Sequence, residues 1–398
     1  MYGSCAIGLN CALRQVYSRR RETIAAGPSL GLDSGGSMAV IELARRTGGA
    51  NDGLFDTIAV FGGGAWGAAL AAVAARAGRD ARIWARDAAA VGSMNAARRN
   101  PYLPDIALPA ALRATADLRA AAEGADAALV VAPSAALREV VAAAHAVLAA
   151  GVPICVAAKG VERESGLLMS EVAAEAAPGR GIAVLSGPSF ADEVARDLPT
   201  AVVIASACLA GDDPQGSVAA RLAQSLGTES FRPYVSDDVI GVEVGGAVKN
   251  VIAIACGMAQ GAGFGLNARA ALITRGLDEI KNLAEALGGR RETVTGLSGM
   301  GDLALTASDP KSRNFAFGLR LGRGEAAAGH TLVEGAPNAL SVTDLARARG
   351  VEMPICEAVR RVVHEGEPFA AAFRALWTRP IEAEPRALDL AFAHPAAS

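Results

Sequence analysis

The run Gly62-Gly63-Gly64-Ala65-Trp66-Gly67 has the spacing G-x-G-x-x-G, directly after one apolar stretch and at the start of an alanine-rich one. That spacing suits a pyrophosphate. Gly62 allows a tight turn, Gly64 lets backbone approach the anion, and Gly67 permits close packing of a helix whose free N–H groups face the charge. A side chain at Gly64 is expected to obstruct a dinucleotide. Further on, where an adenosine ribose would be read, stand Arg86 and Asp87. Arg86 in that place would pair with a 2′-phosphate and favour NADP, whereas Asp87 would accept from a 2′-hydroxyl and repel the phosphate. Arg86 is the preferred reading, and the cofactor is written as NADP or NAD.

Three other places carry chemistry. Lys159, in Ala157-Ala158-Lys159-Gly160, and Lys249, in the glycine-punctuated stretch 241–250, are lone cations in apolar surroundings. A single lysine of that kind ordinarily snorkels to the surface, so their meaning depends on what stands beside them. Ser312-Arg313-Asn314 offers a hydroxyl, a guanidinium and an amide in three consecutive positions, a natural cradle for a phosphate dianion. The histidines at 145, 330, 364 and 394 sit in no motif, which argues against proton transfer by a His–carboxylate pair. The cysteines at 5, 11, 155, 208, 256 and 356 form no C-x-x-C pair, so neither zinc nor a disulfide framework is indicated and a reducing cytoplasm fits.

The elements that must position these groups alternate from Thr57 onward. Short β-rich runs at 57–61, 81–84, 127–131, 153–157, 182–185 and 201–205 are separated by longer helical runs, the rhythm of a parallel sheet whose carboxyl ends hold ligands. The alanine-rich stretches 110–128 and 139–150 read as helices. Around Asp237 the rhythm changes to helices with apolar stripes, parted by glycine-rich turns at 261–265, 288–289 and 296–301. The expected architecture is α/β: an N-terminal Rossmann-type doubly wound, mostly parallel sheet over 56–236, with a C-terminal all-helical domain over 237–398.

Composition agrees with a globular enzyme. Hydrophobic residues make up 52% and aromatics 4%, which suits helices packed closely on a sheet. A net charge of -3 gives no field for wrapping nucleic acid, so anions must be bound locally. No uninterrupted apolar run reaches the ~18 residues of a membrane span. Residues 1–55, with Arg19-Arg20-Arg21 and no sustained periodicity, read as an extension outside the fold. A flexible tail or a start at Met38 is the preferred account, ahead of a transit peptide and then a secretory signal. The last dozen residues are expected to fray.

The glycine loop, the two lysine segments, Ser186-Gly187-Pro188-Ser189-Phe190-Ala191, Gly299-Met300-Gly301-Asp302-Leu303 and Ser312-Arg313-Asn314 together resemble the NAD(P)-dependent glycerol-3-phosphate dehydrogenase family and keep its motif order. The resemblance runs from about residue 57 to 363 and includes the long stretches 245–254 and 268–276. It implies reduction of dihydroxyacetone phosphate to sn-glycerol 3-phosphate by hydride from NAD(P)H, in service of phospholipid synthesis. A cytoplasmic homodimer without metal, membrane span or nucleic acid is expected.

By resemblance, Lys249 is the catalytic acid/base. Asp302 contacts the substrate's hydroxyl end or orients Lys249, while Lys159, Gly187 and Ser189 line the pocket. Ser312, Arg313 and Asn314 hold the phosphate, with Arg313 the anchor. Gly62, Gly64, Ala65, Trp66, Gly67, Arg86, Lys159, Ala191, Arg313, Leu332 and Glu334 serve the cofactor. Ala65 lacks the hydroxyl frequent in the family, so one cofactor hydrogen bond is expected to be missing. Two rivals are weighed against this: a two-domain dehydrogenase of 3-hydroxy or keto acids, and a nucleotide sensor that has lost catalysis. The combination of Lys159, Lys249, Asp302 and Arg313 argues against both.

Overall fold

The computed structural model describes residues 53–207, 216–325, 333–379, 381–382 and 391–392. Most of the 1–55 extension lies outside the described residues, but its end belongs to the fold. Phe55 is buried, its N–H donates to Ser225 Oγ at 2.8 Å, and the Arg221 guanidinium lies 4.0 Å from its ring centre.

Eight strands, β1 (Thr57–Phe61), β2 (Asp80–Trp84), β3 (Arg113–Thr115), β4 (Ala127–Val130), β5 (Ile154–Val156), β6 (Ile182–Ser186), β7 (Thr200–Ser206) and β8 (Phe231–Ser236), form one sheet in the order β3-β2-β1-β4-β5-β6-β7-β8. The first six run parallel. β7 pairs antiparallel with β6, through Ala183↔Ser206 to Ser186↔Val203, and β8 runs parallel to β7. The strand order reverses between β1 and β4, which opens a crevice at their carboxyl ends. Buried apolar clusters cover both faces: Val60, Leu70, Ile83 and Leu129 belong to one, Phe61, Val130, Leu137 and Val156 to the other.

Two of the expected helices are shorter than read. The 110–128 stretch holds β3 and only the helix Leu118–Ala122, which starts where Asp117 accepts from Arg119 N at 2.8 Å and is followed by Gly124 at φ 63. The 139–150 stretch leaves the helix at His145, because the Arg180 guanidinium takes the carbonyls of His145, Leu148, Ala149 and Val152 at 2.8–3.1 Å. Those bonds satisfy the acceptors that a helix end leaves open.

The second half is built on the 23-residue helix Val239–Gly261, which starts where Asp238 accepts from Gly241 N at 2.9 Å. It is long and apolar enough to cross a membrane, yet 89% of its apolar window is buried inside the protein, so it serves as a core helix. It packs backbone to backbone on the helix Arg313–Gly322 through reciprocal glycines. A Cβ on Gly257 would overlap the Phe315 carbonyl, and one on Gly318 would overlap the Ile254 carbonyl. Gly257→Ala is therefore expected to cost about 1–3 kcal/mol in chemical denaturation, since neither backbone can yield without moving the other. The 296–301 segment, read as a glycine-rich turn, is instead the π-helical turn Leu297–Gly301 that runs into the helix Asp302–Thr306. A Cβ on Gly245 would come within 2.8 Å of Ser298 O, so the core helix accepts this turn only where it lacks a side chain.

Candidate active site

The glycine loop leaves β1 at the crevice. Gly62 has φ 140, a backbone that disfavours any side chain, and donates its N–H to Trp84 O at 3.1 Å. A Cβ on Gly67 would overlap the Gly62 carbonyl, whereas one on Gly64 would meet nothing within 4 Å. The loop is thus tight where it turns on itself and open at Gly64, and no side chain caps the helix Ala65–Arg76 that follows. These features fit a dinucleotide pyrophosphate: a cradle with room, and uncapped N–H groups at a helix start. Ala65 and Trp66 are half-buried beside it.

At the end of β2 the two candidate ribose readers differ in what else they do. Both are exposed, but the Asp87 carboxylate is used as the N-cap of the helix Ala88–Ala96, accepting from Ala89 N at 2.8 Å. Arg86 makes no hydrogen bond or ion pair among the described residues.

The two lysines meet on one carboxylate. Lys159, on the loop after β5, places Nζ 2.6 Å from Asp302 Oδ2, and Lys249, within the core helix, places Nζ 2.7 Å from Asp302 Oδ1. Lys249 also donates to Thr306 Oγ1 at 2.7 Å, and Lys159 to Gly187 O at 3.3 Å. Each ammonium thus spends two of its three N–H groups on the protein and keeps one. Gly246 makes the meeting possible: a Cβ there would lie 3.4 Å from Lys159 Cγ and 2.9 Å from Ser186 Oγ, so the lysine stem lies against bare helix. Gly187 and Ser189 follow β6 beside this group, with Ser189 Oγ donating to Gly187 O at 3.0 Å, and Ala191 opens the next short helix.

Burial sets the electrostatics. Asp302 is 1% exposed and Lys249 7%. Desolvation brings the Lys249 ammonium down to about 8, against the pull of Asp302 in the other direction, and the neighbouring Lys159 charge lowers it further. For Asp302, burial alone would raise the carboxyl, but the two ammonium groups, Lys159 foremost, hold it below the usual carboxylate range.

Ser312-Arg313-Asn314 splits in two directions. Ser312 Oγ caps its own helix, accepting from Phe315 N at 3.3 Å. The Asn314 amide donates to Asn250 Oδ1 and accepts from Gly335 N, both at 2.9 Å. Arg313 is exposed, with no hydrogen bond or ion pair among the described residues. The three are expected to hold the phosphate with Arg313 as the anchor; Ser312 and Asn314 are partly engaged in holding the helix start in place, and the Arg313 guanidinium has no partner among the described residues. Glu334 is half-buried just before the helix Gly335–Ala348, and Leu332 lies outside the described residues.

Two residues of this group were missed in the sequence, Thr306 and Asn250. Thr306 stands one helical turn after Asp302 and Asn250 directly follows Lys249, so adjacency to named residues was the available signal.

A glycine loop fit for a dinucleotide at the end of β1, with two lysines joined on one buried carboxylate, fits the class of nicotinamide-dependent dehydrogenases. The comparisons with known proteins narrow that class. The family described as NAD-dependent glycerol-3-phosphate dehydrogenase matches through its N-terminal part at residues 57–211 and its C-terminal part at residues 238–374. A Bradyrhizobium protein named glycerol-3-phosphate dehydrogenase [NAD(P)+] is 52% identical over 330 residues, covering 83% of this chain and 99% of its own length. The Rhodospirillum rubrum protein of the same name is 48% identical over 337 residues, covering 83% and 95%. The crystal structure of glycerol-3-phosphate dehydrogenase from Coxiella burnetii superposes with a TM-score of 0.76 at 42% identity, covering 81% of this chain and 99% of that one. The chain belongs to the NAD-dependent glycerol-3-phosphate dehydrogenase family.

Proposed function

We propose that this enzyme reduces dihydroxyacetone phosphate to sn-glycerol 3-phosphate with NAD(P)H. The observation that carries the reading is the buried Asp302 carboxylate holding both ammonium groups, each with one N–H left for substrate. A dinucleotide held at its pyrophosphate by the glycine loop would supply the hydride from its nicotinamide. The free N–H of Lys249 donates to the ketone oxygen and gives up its proton as the alkoxide forms, while Lys159, on the other oxygen of Asp302, lowers the energy of that alkoxide. Asp302 holds both lysines in place and acts on the substrate through them. Gly187 and Ser189 close the pocket from the β6 side, and Arg313, with Ser312 and Asn314 fixing its helix start, receives the phosphate.

The cofactor is held by Gly62, Gly64, Ala65, Trp66 and Gly67 at its pyrophosphate; by resemblance Ala191 and Leu332 also serve it, and Glu334 accepts from its carboxamide or ribose. Arg86 reads the adenosine ribose. NADP is preferred over NAD, because Asp87 already spends its carboxylate on a helix cap while Arg86 has no hydrogen bond or ion pair among the described residues. The domain division at 56–236 and 237–398, a cytoplasmic homodimer and a role in supplying the phospholipid backbone complete the reading. Incubating the protein with NADPH and dihydroxyacetone phosphate tests it: sn-glycerol 3-phosphate accumulates in step with NADPH loss, and oxidation without that product overturns the assignment.

The lowered lysine also sets a pH dependence. Reduction needs the ammonium, so its rate is expected to hold at lower pH and fall as pH rises through about 8; oxidation of glycerol 3-phosphate needs the neutral amine and rises over the same range. Rate profiles in the two directions check this. A break at the ordinary lysine value of 10.5 contradicts the burial argument.

A further inference from the structure

Asn100 is 0% exposed, although its side chain is polar. Its Nδ2 donates to the carbonyl of Gly63 at 2.9 Å and lies 3.4 Å from Met94 Sδ, and its Oδ1 accepts from Tyr102 N at 2.8 Å. The backbone around it is pinned as well, with Leu103 N on Asn100 O at 2.9 Å and Leu108 N on Arg98 O at 2.8 Å. A Cβ on Gly63 would also overlap that of Ala85, which directly follows β2. The middle of the loop is therefore gripped between β2 and the turn at 98–104.

We propose that Asn100 is a positioning residue that aims the Gly64 N–H at the pyrophosphate of the dinucleotide, an inference that rests on reading the glycine loop as the cofactor site. A trans peptide is planar, so the Gly63 carbonyl and the Gly64 N–H point in opposite directions. Holding the carbonyl on Asn100 turns the N–H away from the 98–104 turn, toward an anion on the other side of the peptide. With glycine on both sides, this peptide has little else to keep it from rotating. Asn100 thus settles the orientation before the cofactor arrives, which removes an ordering cost from binding.

Asn95 supplies a matched control. Its amide donates to Ala114 O at 2.8 Å and accepts from Ala114 N at 2.9 Å, the same kind of clamp, on β3 instead of the loop. Calorimetric titration with NADP+ is compared for Asn100→Asp and Asn95→Asp, alongside kcat and the KM for dihydroxyacetone phosphate at saturating cofactor. Asn100→Asp keeps the acceptor for Tyr102 N and replaces the donor to Gly63 with a carboxylate oxygen, so the cofactor Kd is expected to rise about tenfold or more while kcat and substrate KM stay within about twofold. Asn95→Asp lowers the melting temperature and leaves the cofactor Kd within about twofold. Where Asn100→Asp fails to fold, Asn100→Ser, too short to reach Gly63, reads the same Kd.

An unchanged cofactor Kd in the Asn100 variants, or equal changes in the two asparagine variants, overturns the proposal. Gly64→Val separates it from the reading beneath it. If Gly64→Val binds NADP+ normally, the loop is not the cofactor site. If it abolishes binding while the Asn100 variants bind normally, the positioning role alone falls.

Discussion

Lys249→Ala is expected to lower kcat for dihydroxyacetone phosphate reduction by about 10²–10⁴-fold, with NADP(H) affinity and the folded state retained. The size follows from what the side chain does. In the proposed mechanism its Nζ is the proton donor and its third N–H is the one left for the ketone oxygen, while Lys159, held on the other oxygen of Asp302 and on Gly187 O, is assigned to the alkoxide charge. Asp302 remains paired with Lys159 at 2.6 Å in the variant, so no buried charge is stranded and thermal unfolding changes little. Loss of the pH break near 8 accompanies the loss of rate, because the titrating group is gone. A variant with wild-type kcat would remove Lys249 from the mechanism.

Asp302→Ala is expected to act on both stability and rate. The carboxylate is the counter-charge for two ammonium groups in a site 1% exposed, and breaking such a buried arrangement from one side costs about 3–5 kcal/mol. Part of the penalty is relieved by deprotonation. Removing the anion takes away an interaction that favours the charged lysine, so the Lys249 break moves below about 8. Destabilisation is then largest at low pH, where the Lys249 ammonium persists, and shrinks as pH rises and it neutralises. Reduction slows by about 10²-fold or more, because the donor is both misoriented and discharged near neutrality. Denaturation midpoints and rate profiles over the same pH range check the two effects together; equal destabilisation at every pH contradicts the charge account.

Most of the sheet was legible because its strands are short β-rich runs closed by turn residues: β1 matches its expected span, and β2, β4, β5, β6 and β7 differ only at their ends. The other two strands carried weaker signals. β3 is three residues, Arg113–Thr115, inside an alanine- and leucine-rich stretch that favours helix by propensity, and only pairing with β2 makes it extended. β8 contains Pro233, which reads as a breaker; on an edge strand its missing N–H costs no ladder bond.

The site divided in a similar way. The glycine loop could be read from spacing alone, since its function is local. Lys159, Lys249 and Asp302 had meaning only as a set, and the set was visible through family resemblance; spacing cannot show that side chains 143 and 53 residues apart share one carboxylate. Thr306 and Asn250 stood next to named residues, whereas Asn100 reaches the loop across 37 residues with no motif around it. The Ser312-Arg313-Asn314 triplet was legible in type but not in direction, because a helix start turns consecutive side chains to different faces.

Initial rates of NADPH oxidation with dihydroxyacetone phosphate, beside unphosphorylated dihydroxyacetone and a keto acid, decide whether Lys249 and Arg313 serve a phosphorylated ketone. Turnover confined to the phosphorylated ketone and lost in Lys249→Ala is expected. Tight NADP(H) binding without turnover, or turnover that ignores the phosphate, would contradict it.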